Sequence, residues 1–236
     1  MVTALAAGLA GLALLDLLLG RATSWRRVAP AAVAATAVAA VAAYAGGCTL
    51  PGSVAVAGTV AAEVPLWALA RWPWRPRLVL AGLVVALAAR FATAGLWTVR
   101  AGSPWRDLVG RAPFALAHRV DAGHVAYVVA AVVFLATAGN TLVRLLLTGT
   151  HTLGATEKPP GGGRIIGSLE RVLIFALAVG GEATAATLVI SAKGVLRFAE
   201  VRATDGDHVD AVTEYVLVGS LASYALALAF VPFALP

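Results

Sequence analysis

The ionisable residues with the clearest chemical potential in this chain lie towards its C-terminal end: Glu170, Arg171, Lys193, Arg197, Glu200 and Glu214. Lys193, Arg197 and Glu200 follow i, i+4, i+7 spacing, which puts three side chains on one helical face, inside the otherwise apolar run "TAATLVISAKGVLRFAE". Glu170 and Arg171 sit near the start of another apolar run, "GGGRIIGSLERVLIFALAVGG". A hairpin turning at Gly180, Gly181 and Glu182 brings Glu170 level with residues 190 to 193, so that Glu170 can neutralise Lys193. Arg197 can reach Glu214 across the short segment "VRATDGDHVDAVT", and Arg171 is expected to snorkel towards the inner headgroups. Charges inside apolar segments are costly, and two kinds of chemistry justify them: ion pairs that lock helices together, or the lining of a route for an ion, proton or solute. Both readings stand here.

Asp16, Glu63, Arg90, Asn140 and Arg144 form a second set of polar candidates. Asp16 lies one turn from the end of its apolar run, where a solvated or interfacial carboxylate is the simpler reading and a buried proton carrier the sharper one. Glu63 precedes Pro65, which frees a backbone carbonyl and permits a kink, and a pair between Glu63 and Arg90 at mid-membrane is one option. Asn140 and Arg144 are one helical turn apart, with Arg144 close enough to the inner face to act as a topology anchor.

Other chemistries find little support. His118, Asp121 and His124 could supply two imidazoles and a carboxylate to a metal, yet they lack HExxH spacing and any supporting cysteine, so a solvated turn is expected and no metal. "GGGRIIG" lacks the GK[ST] ending of a phosphate loop and follows no strand. There is no GxSxG elbow or Ser-His-Asp order, so no enzyme activity and no cofactor are expected. A single cysteine, Cys48, leaves no intramolecular disulfide or CxxC site.

The elements that must position these residues follow from composition. Of 236 residues only 13% are charged and 60% are hydrophobic, where a soluble domain carries about 25% charged residues; too few charges remain to cover a water-soluble fold of this size. The net charge of +6 is scattered in short basic clusters between apolar runs, which argues against nucleic acid as a partner. Apolar windows long enough to cross a bilayer occur at about 2–20, 28–46, 53–70, 78–99, 124–147, 165–180, 183–199 and 213–233. Period-two alternation is absent, so the expectation is an all-α, polytopic transmembrane helical bundle of about eight spans, within a range of seven to nine. The first window lacks the basic start of a signal peptide and is read as a span.

Nine basic residues (Arg21, Arg26, Arg27, Arg71, Arg75, Arg77, Lys158, Arg164 and Arg202) fall on one side of this arrangement, and four (Arg100, Arg106, Arg111 and Arg119) on the other. The positive-inside rule then puts the N-terminus outside. The four occur in "RAGSPWRDLVGRAPFALAHRVDAG", where Trp105, Leu108, Val109, Ala112 and Leu116 can share a face; a short interfacial helix near 104–118 is expected, with a re-entrant segment or a miscounted span as the alternative. Trp25, Trp72, Trp74, Trp97 and Trp105 fall near span ends, as an aromatic belt requires. One membrane domain over 1–236 is the economical organisation: Ala-rich spans in 1–99, the interfacial segment 100–123, a span at 124–147, and a charged hairpin with a last span in 164–233.

The C-terminal third, "GRIIGSLERVLIFALAVGGEATAATLVISAKGVLRFAEVRA" followed by "TEYVLVGSLASYALALA", resembles the end of a bacterial membrane family known only as domain-of-unknown-function family 3307. The likeness covers about 70 residues and rests on three helices. The first matches at Gly167, Leu169, Glu170 and Arg171, the second at Ala192, Lys193, Arg197 and Phe198, and the third at Glu214, Tyr215, Gly219 and Ser223. Gly194 and Ser220 stand where the family usually has serine and often threonine, and in the N-terminal half only Asp16 aligns with the family's pattern. The resemblance implies that Glu170, Lys193, Arg197 and Glu214 belong together and places the chain in the bacterial cytoplasmic (inner) membrane; it implies no reaction. A small transporter or channel-like protein is the leading functional expectation, with a non-catalytic scaffold or partner subunit as its rival. The expected partners are the lipid bilayer and a second copy of the chain or another membrane protein.

Overall fold

A computed structural model describes residues 2–20, 25–70, 76–93, 102–111, 121–149, 163–202 and 209–235, with side chains described at all of these except 25, 93, 163, 164, 196–202 and 209–216. Every regular element among the described residues is helical. The α-helices are α1 (Val2–Leu19), α2 (Val28–Ala45), α3 (Leu50–Leu69), α4 (Pro76–Thr93), α5 (Pro104–Gly110), α6 (Ala122–Ala136), α7 (Ala138–Gly149), α8 (Gly163–Val179), α9 (Ala183–Arg202) and α10 (Val209–Ala229). Short 3-10 turns lie at Trp25–Arg27 and Val231–Phe233.

α1 is apolar on all sides, the pattern of a helix enclosed by others, and it packs against α2, α3, α6 and α7. Close approach to α2 depends on small residues. Ala31, Ala35, Ala39 and Ala43 recur every fourth position on α2 and are all buried, and Gly11 of α1 faces them: a Cβ at Gly11 would lie 2.9 Å from the Ala39 Cβ and 3.0 Å from the Ala35 carbonyl oxygen. Such small-residue seams replace hydrophobic driving force as the source of helix contact in lipid. α8, α9 and α10 form a second group, in which α8 touches α6 and α10 touches α7. α6 packs on both α1 and α8 and so links the two groups.

Glycines end two helices by one mechanism. After α2, Gly47 takes φ +97° while Gly47 N–H donates to Tyr44 O and Cys48 N–H to Ala43 O. After α8, Gly181 takes φ +83° while its N–H donates to Ala178 O and Glu182 N–H to Leu177 O. Both are Schellman caps, which need a left-handed residue that glycine adopts without strain. The second makes the tight α8–α9 hairpin that the sequence predicts. At the far end of the bundle, the Tyr127 hydroxyl donates to Phe230 O at 3.0 Å, and Phe91, Phe134 and Phe233 surround that point with ring contacts.

One sequence expectation is met in its coarser form and two are corrected. By length and composition, α1, α2 and α3 can each cross a membrane, and α6 with α7 makes a fourth crossing when the two are one bent span; about eight were expected. The difference falls on α4, on α8, which has 17 residues, and on α9 and α10. Over their described side chains α9 and α10 offer only the shorter apolar stretches Ala183–Val195 and Leu217–Phe233. The window 124–147 is not one straight helix: it breaks at Thr137 with a bend of 44°. In the described part of the segment expected to be interfacial over 104–118, the helix is Pro104–Gly110, where Val109 is buried and Leu108 is 62% exposed, so the two do not share an apolar face. Residues 112–120 lie outside the described residues, as do the side chains of Trp25, Trp72, Trp74 and Trp97.

The α1–α2 seam sets an expectation. Gly11→Ala should lower stability in detergent by about 1–3 kcal/mol, the usual cost of overpacking. Gly58→Ala, at a position with open space around it, should stay within about 0.5 kcal/mol of the parent. Thermal unfolding of the two variants checks the contrast.

Candidate functional site

The break between α6 and α7 contains no proline, so the bend must come from side chains that enter the backbone ladder. Thr137 begins it. Its N–H is shared between Val133 O (3.1 Å) and Phe134 O (3.3 Å), and its hydroxyl also donates to Val133 O at 2.7 Å, a back-bond that tends to bend helices. Asn140 N–H then donates to Thr137 O at 3.1 Å, three residues back, instead of to Ala136 O. Leu135 O and Ala136 O are taken over by other donors.

α8 supplies most of them. Ser168 Oγ donates to Ala136 O at 2.9 Å, and Asn140 Nδ2 joins it at 3.2 Å. Arg171 Nε donates to Leu135 O at 3.0 Å. The remaining guanidinium N–H groups reach the Asn140 amide oxygen, Ser168 Oγ at 3.4 Å and Ser223 Oγ of α10 at 3.0 Å. Asn140 Nδ2 in turn donates to Ser168 Oγ at 2.7 Å. Arg171 therefore joins α6, α7, α8 and α10 through neutral acceptors. With only 2% of its surface exposed, it does not snorkel, and the expectation that it reaches the inner headgroups is corrected. The reason is helical phase: Arg171 shares a face with Ile174 and Phe175, both fully buried, and that face packs on α6.

Asp16 is also buried rather than solvated, with 3% exposure. Its carboxylate accepts the Thr141 hydroxyl at 2.7 Å, which ties α1 to the first turn of α7. Between them, Asp16, Leu17 and Gly20 of α1, Ala136, Thr137 and Asn140 at the break, and Ile165, Ser168 and Leu169 of α8 line an open cleft of about 350 Å³.

The other candidates fall into separate places. Glu170 is rotated from Arg171 by about 100° on the helix and faces α9, where it forms a hydrogen-bonded ion pair with Lys193. Lys193 also stands 5.6 Å from the centroid of the Tyr224 ring. This pair is the one that the hairpin register predicts. Arg197, Glu200 and Glu214 lie outside the residues whose side chains are described. Glu63 of α3 and Arg90 of α4 meet at 2.5 Å, both buried, and the guanidinium packs over Gly8 of α1, where a Cβ would overlap it. Arg144 is exposed on α7. Asp121 caps α6 through Gly123 N–H at 2.9 Å and also faces Arg106 at 3.3 Å and His124 at 3.5 Å; His118 lies outside the described residues.

Sequence reasoning named Asp16, Asn140 and Arg171 but did not join them. It missed Thr137, Thr141 and Ser168 altogether. Ser168 was visible as the residue three before Arg171, on the same helical face. Thr137 gave no signal, because an isolated threonine in an apolar run is ordinary.

Family models, curated proteins and solved structures give no match to this chain. The site therefore stands on its geometry.

Arg171→Met would remove the donors to Leu135 O and the Asn140 amide oxygen while keeping an apolar stem. Each buried acceptor left without a donor costs about 1–3 kcal/mol, so the variant should unfold at markedly lower temperature. Val129→Ala, at an exposed position of α6, should change stability by no more than about 0.5 kcal/mol.

Proposed function

We propose that the chain is a bacterial cytoplasmic-membrane protein of eight spans, N-terminus outside, that moves a small solute or ion through the cleft at the α6–α7 break. On this reading α4, α8, α9 and α10 cross the bilayer in addition to α1, α2, α3 and the bent pair. The observation that carries it is the broken helix itself. Interrupted helices at membrane depth are tolerated where they line a cavity or are buried in protein, and transporters build solute sites from their freed backbone groups and helix ends. Here the break abuts a cleft walled by a buried carboxylate, an amide and two hydroxyls. The likeness of the C-terminal third to domain-of-unknown-function family 3307 belongs to the same proposal, and it gains support from Arg171 and Ser223, two positions that carry the likeness and are hydrogen-bonded to each other.

The charged hairpin moves to a supporting role in this reading. Glu170 and Lys193 neutralise one another on the α8–α9 face, whereas the cleft belongs to α1, α6, α7 and α8. A second reading, a non-catalytic scaffold or partner subunit, is favoured by one observation: Arg171 places its donors on acceptors within the protein, as a purely structural arginine would.

Cysteine accessibility separates the two. In a Cys48→Ala background, Thr137→Cys should react with a membrane-impermeant thiol reagent from either face of the membrane, in right-side-out and in inverted vesicles, while Ala131→Cys in the core stays protected. Protection of position 137 from both faces, or reaction from one face alone, would exclude transport through the cleft. Lys158→Cys tests orientation in the same vesicles: labelling from the cytoplasmic side only is expected, and labelling from outside in intact cells would reverse the topology.

A further inference from the structure

The break between α6 and α7 differs from a proline kink in a way that decides what it can do. A proline removes an N–H for good, so the ladder it interrupts never closes. Ala136, Thr137, Ala138, Gly139 and Asn140 all keep an N–H, so a continuous ladder across the break has its donors. Thr137 N–H already reaches Val133 O, four residues back, at 3.1 Å. Asn140 N–H has left the α-helical pattern, because it bonds Thr137 O at 3.1 Å and not Ala136 O.

Side chains take the place of the ladder at the freed carbonyls. Ser168 Oγ and Asn140 Nδ2 donate to Ala136 O, and Arg171 Nε donates to Leu135 O. Bonds made by the side chains of another helix are reversible, as a missing N–H is not. Gly139 belongs to the same arrangement. A Cβ there would lie 3.1 Å from Arg171 Nε and 3.4 Å from Leu226 Cδ2, so the bare backbone is what lets the guanidinium come close to Leu135 O. Glycine is also a poor helix former, and this one stands in the first turn of α7.

We propose that the break is a reversible hinge latched by Arg171, and that releasing the latch lets α6 and α7 close into one straight helix. On closure Asn140 N–H returns to Ala136 O. Undoing a bend of 44° carries the backbone at Thr148 sideways by about 11 Å, at 1.5 Å of rise per residue from Thr137. The straight state gives up the bonds from Thr141 to Asp16 and from Arg77 to Gly149 O, which makes the bent state the resting one. Asn140 connects the hinge to the cleft: its side chain lines the cleft and accepts from Arg171. A solute that bonds this amide therefore draws on a group that holds the bend. The hinge would be the moving part of the transport reading, on which its purpose rests, although its existence does not.

Spin labels at Val33→Cys of α2, an exposed position, and at Thr148→Cys near the end of α7 report the swing in the full chain in nanodiscs, with Cys48→Ala as background. The α2 label is a fixed reference because α2 packs on α1 and α1 on α6. Arg171→Met should add a second, resolved distance, shifted from the bent one by up to about 11 Å. Gly139→Ala keeps the arginine but crowds it away from Leu135 O and favours helix across the break. It should add the same second distance, and it decides the matter if Arg171→Met fails to fold. Thr137→Pro, added to Gly139→Ala, removes an N–H that the straight ladder needs and should abolish the second distance. A single distance in Gly139→Ala, a distribution that only broadens about the bent distance, or a second distance that survives Thr137→Pro would overturn the hinge. A second distance found while position 137 is protected from both faces of the membrane would retain the hinge and discard transport.

Discussion

A helix that breaks inside an apolar protein frees carbonyl oxygens from its own ladder, and each must find a donor or cost free energy. At Thr137 the chain meets this requirement with side chains from a different helix. Arg171 and Ser168 of α8 donate to Leu135 O and Ala136 O, and the arginine extends the same set of bonds to Ser223 of α10. The bend of 44° between α6 and α7 and the packing of α8 against that bend are thus one feature. Without the donors the break would be unfavourable, and without the break the arginine would have no carbonyls to bind.

The remaining charges obey the same constraint in simpler ways. Glu63 and Arg90 pair between α3 and α4, and Gly8 of α1 leaves space for the guanidinium. Glu170 and Lys193 pair across the hairpin. Buried pairs contribute little net stability because desolvation offsets the attraction, although removing one partner is costly; their effect is to fix which helices meet. Arg77 acts similarly at the end of α7, where its Nε donates to Gly149 O at 2.5 Å and so satisfies a terminal carbonyl. Asp16, bonded to Thr141, stands at the wall of the cleft beside the break.

Much of the helical order was legible in the sequence because hydropathy and capping glycines are local signals. The limits of α1, α2 and α3 lie within a few residues of the apolar windows, and Gly180–Gly181 announced the hairpin that brings Glu170 to Lys193. The bend at Thr137 was not legible, since it depends on donors from residues 168 and 171, distant in sequence. Arg171 shows how a general rule can mislead. Snorkelling is the usual outcome for an arginine near a helix end, but the positions of Ile174 and Phe175 put this one on the buried face. Asp16 was misplaced for a related reason: its partner, Thr141, lies 125 residues away.

The most direct test of the arginine's part is a distance across the break. Spin labels at Val129→Cys and Arg144→Cys, both on exposed positions and in a Cys48→Ala background, span α6 and α7. A straight helix would separate the two backbone positions by about 22 Å. The account predicts a shorter, narrow distribution with Arg171 in place, and a longer or broader one in Arg171→Met as the bend loses its donors. An unchanged distribution in Arg171→Met would show that the break is sustained without the arginine and would contradict the account.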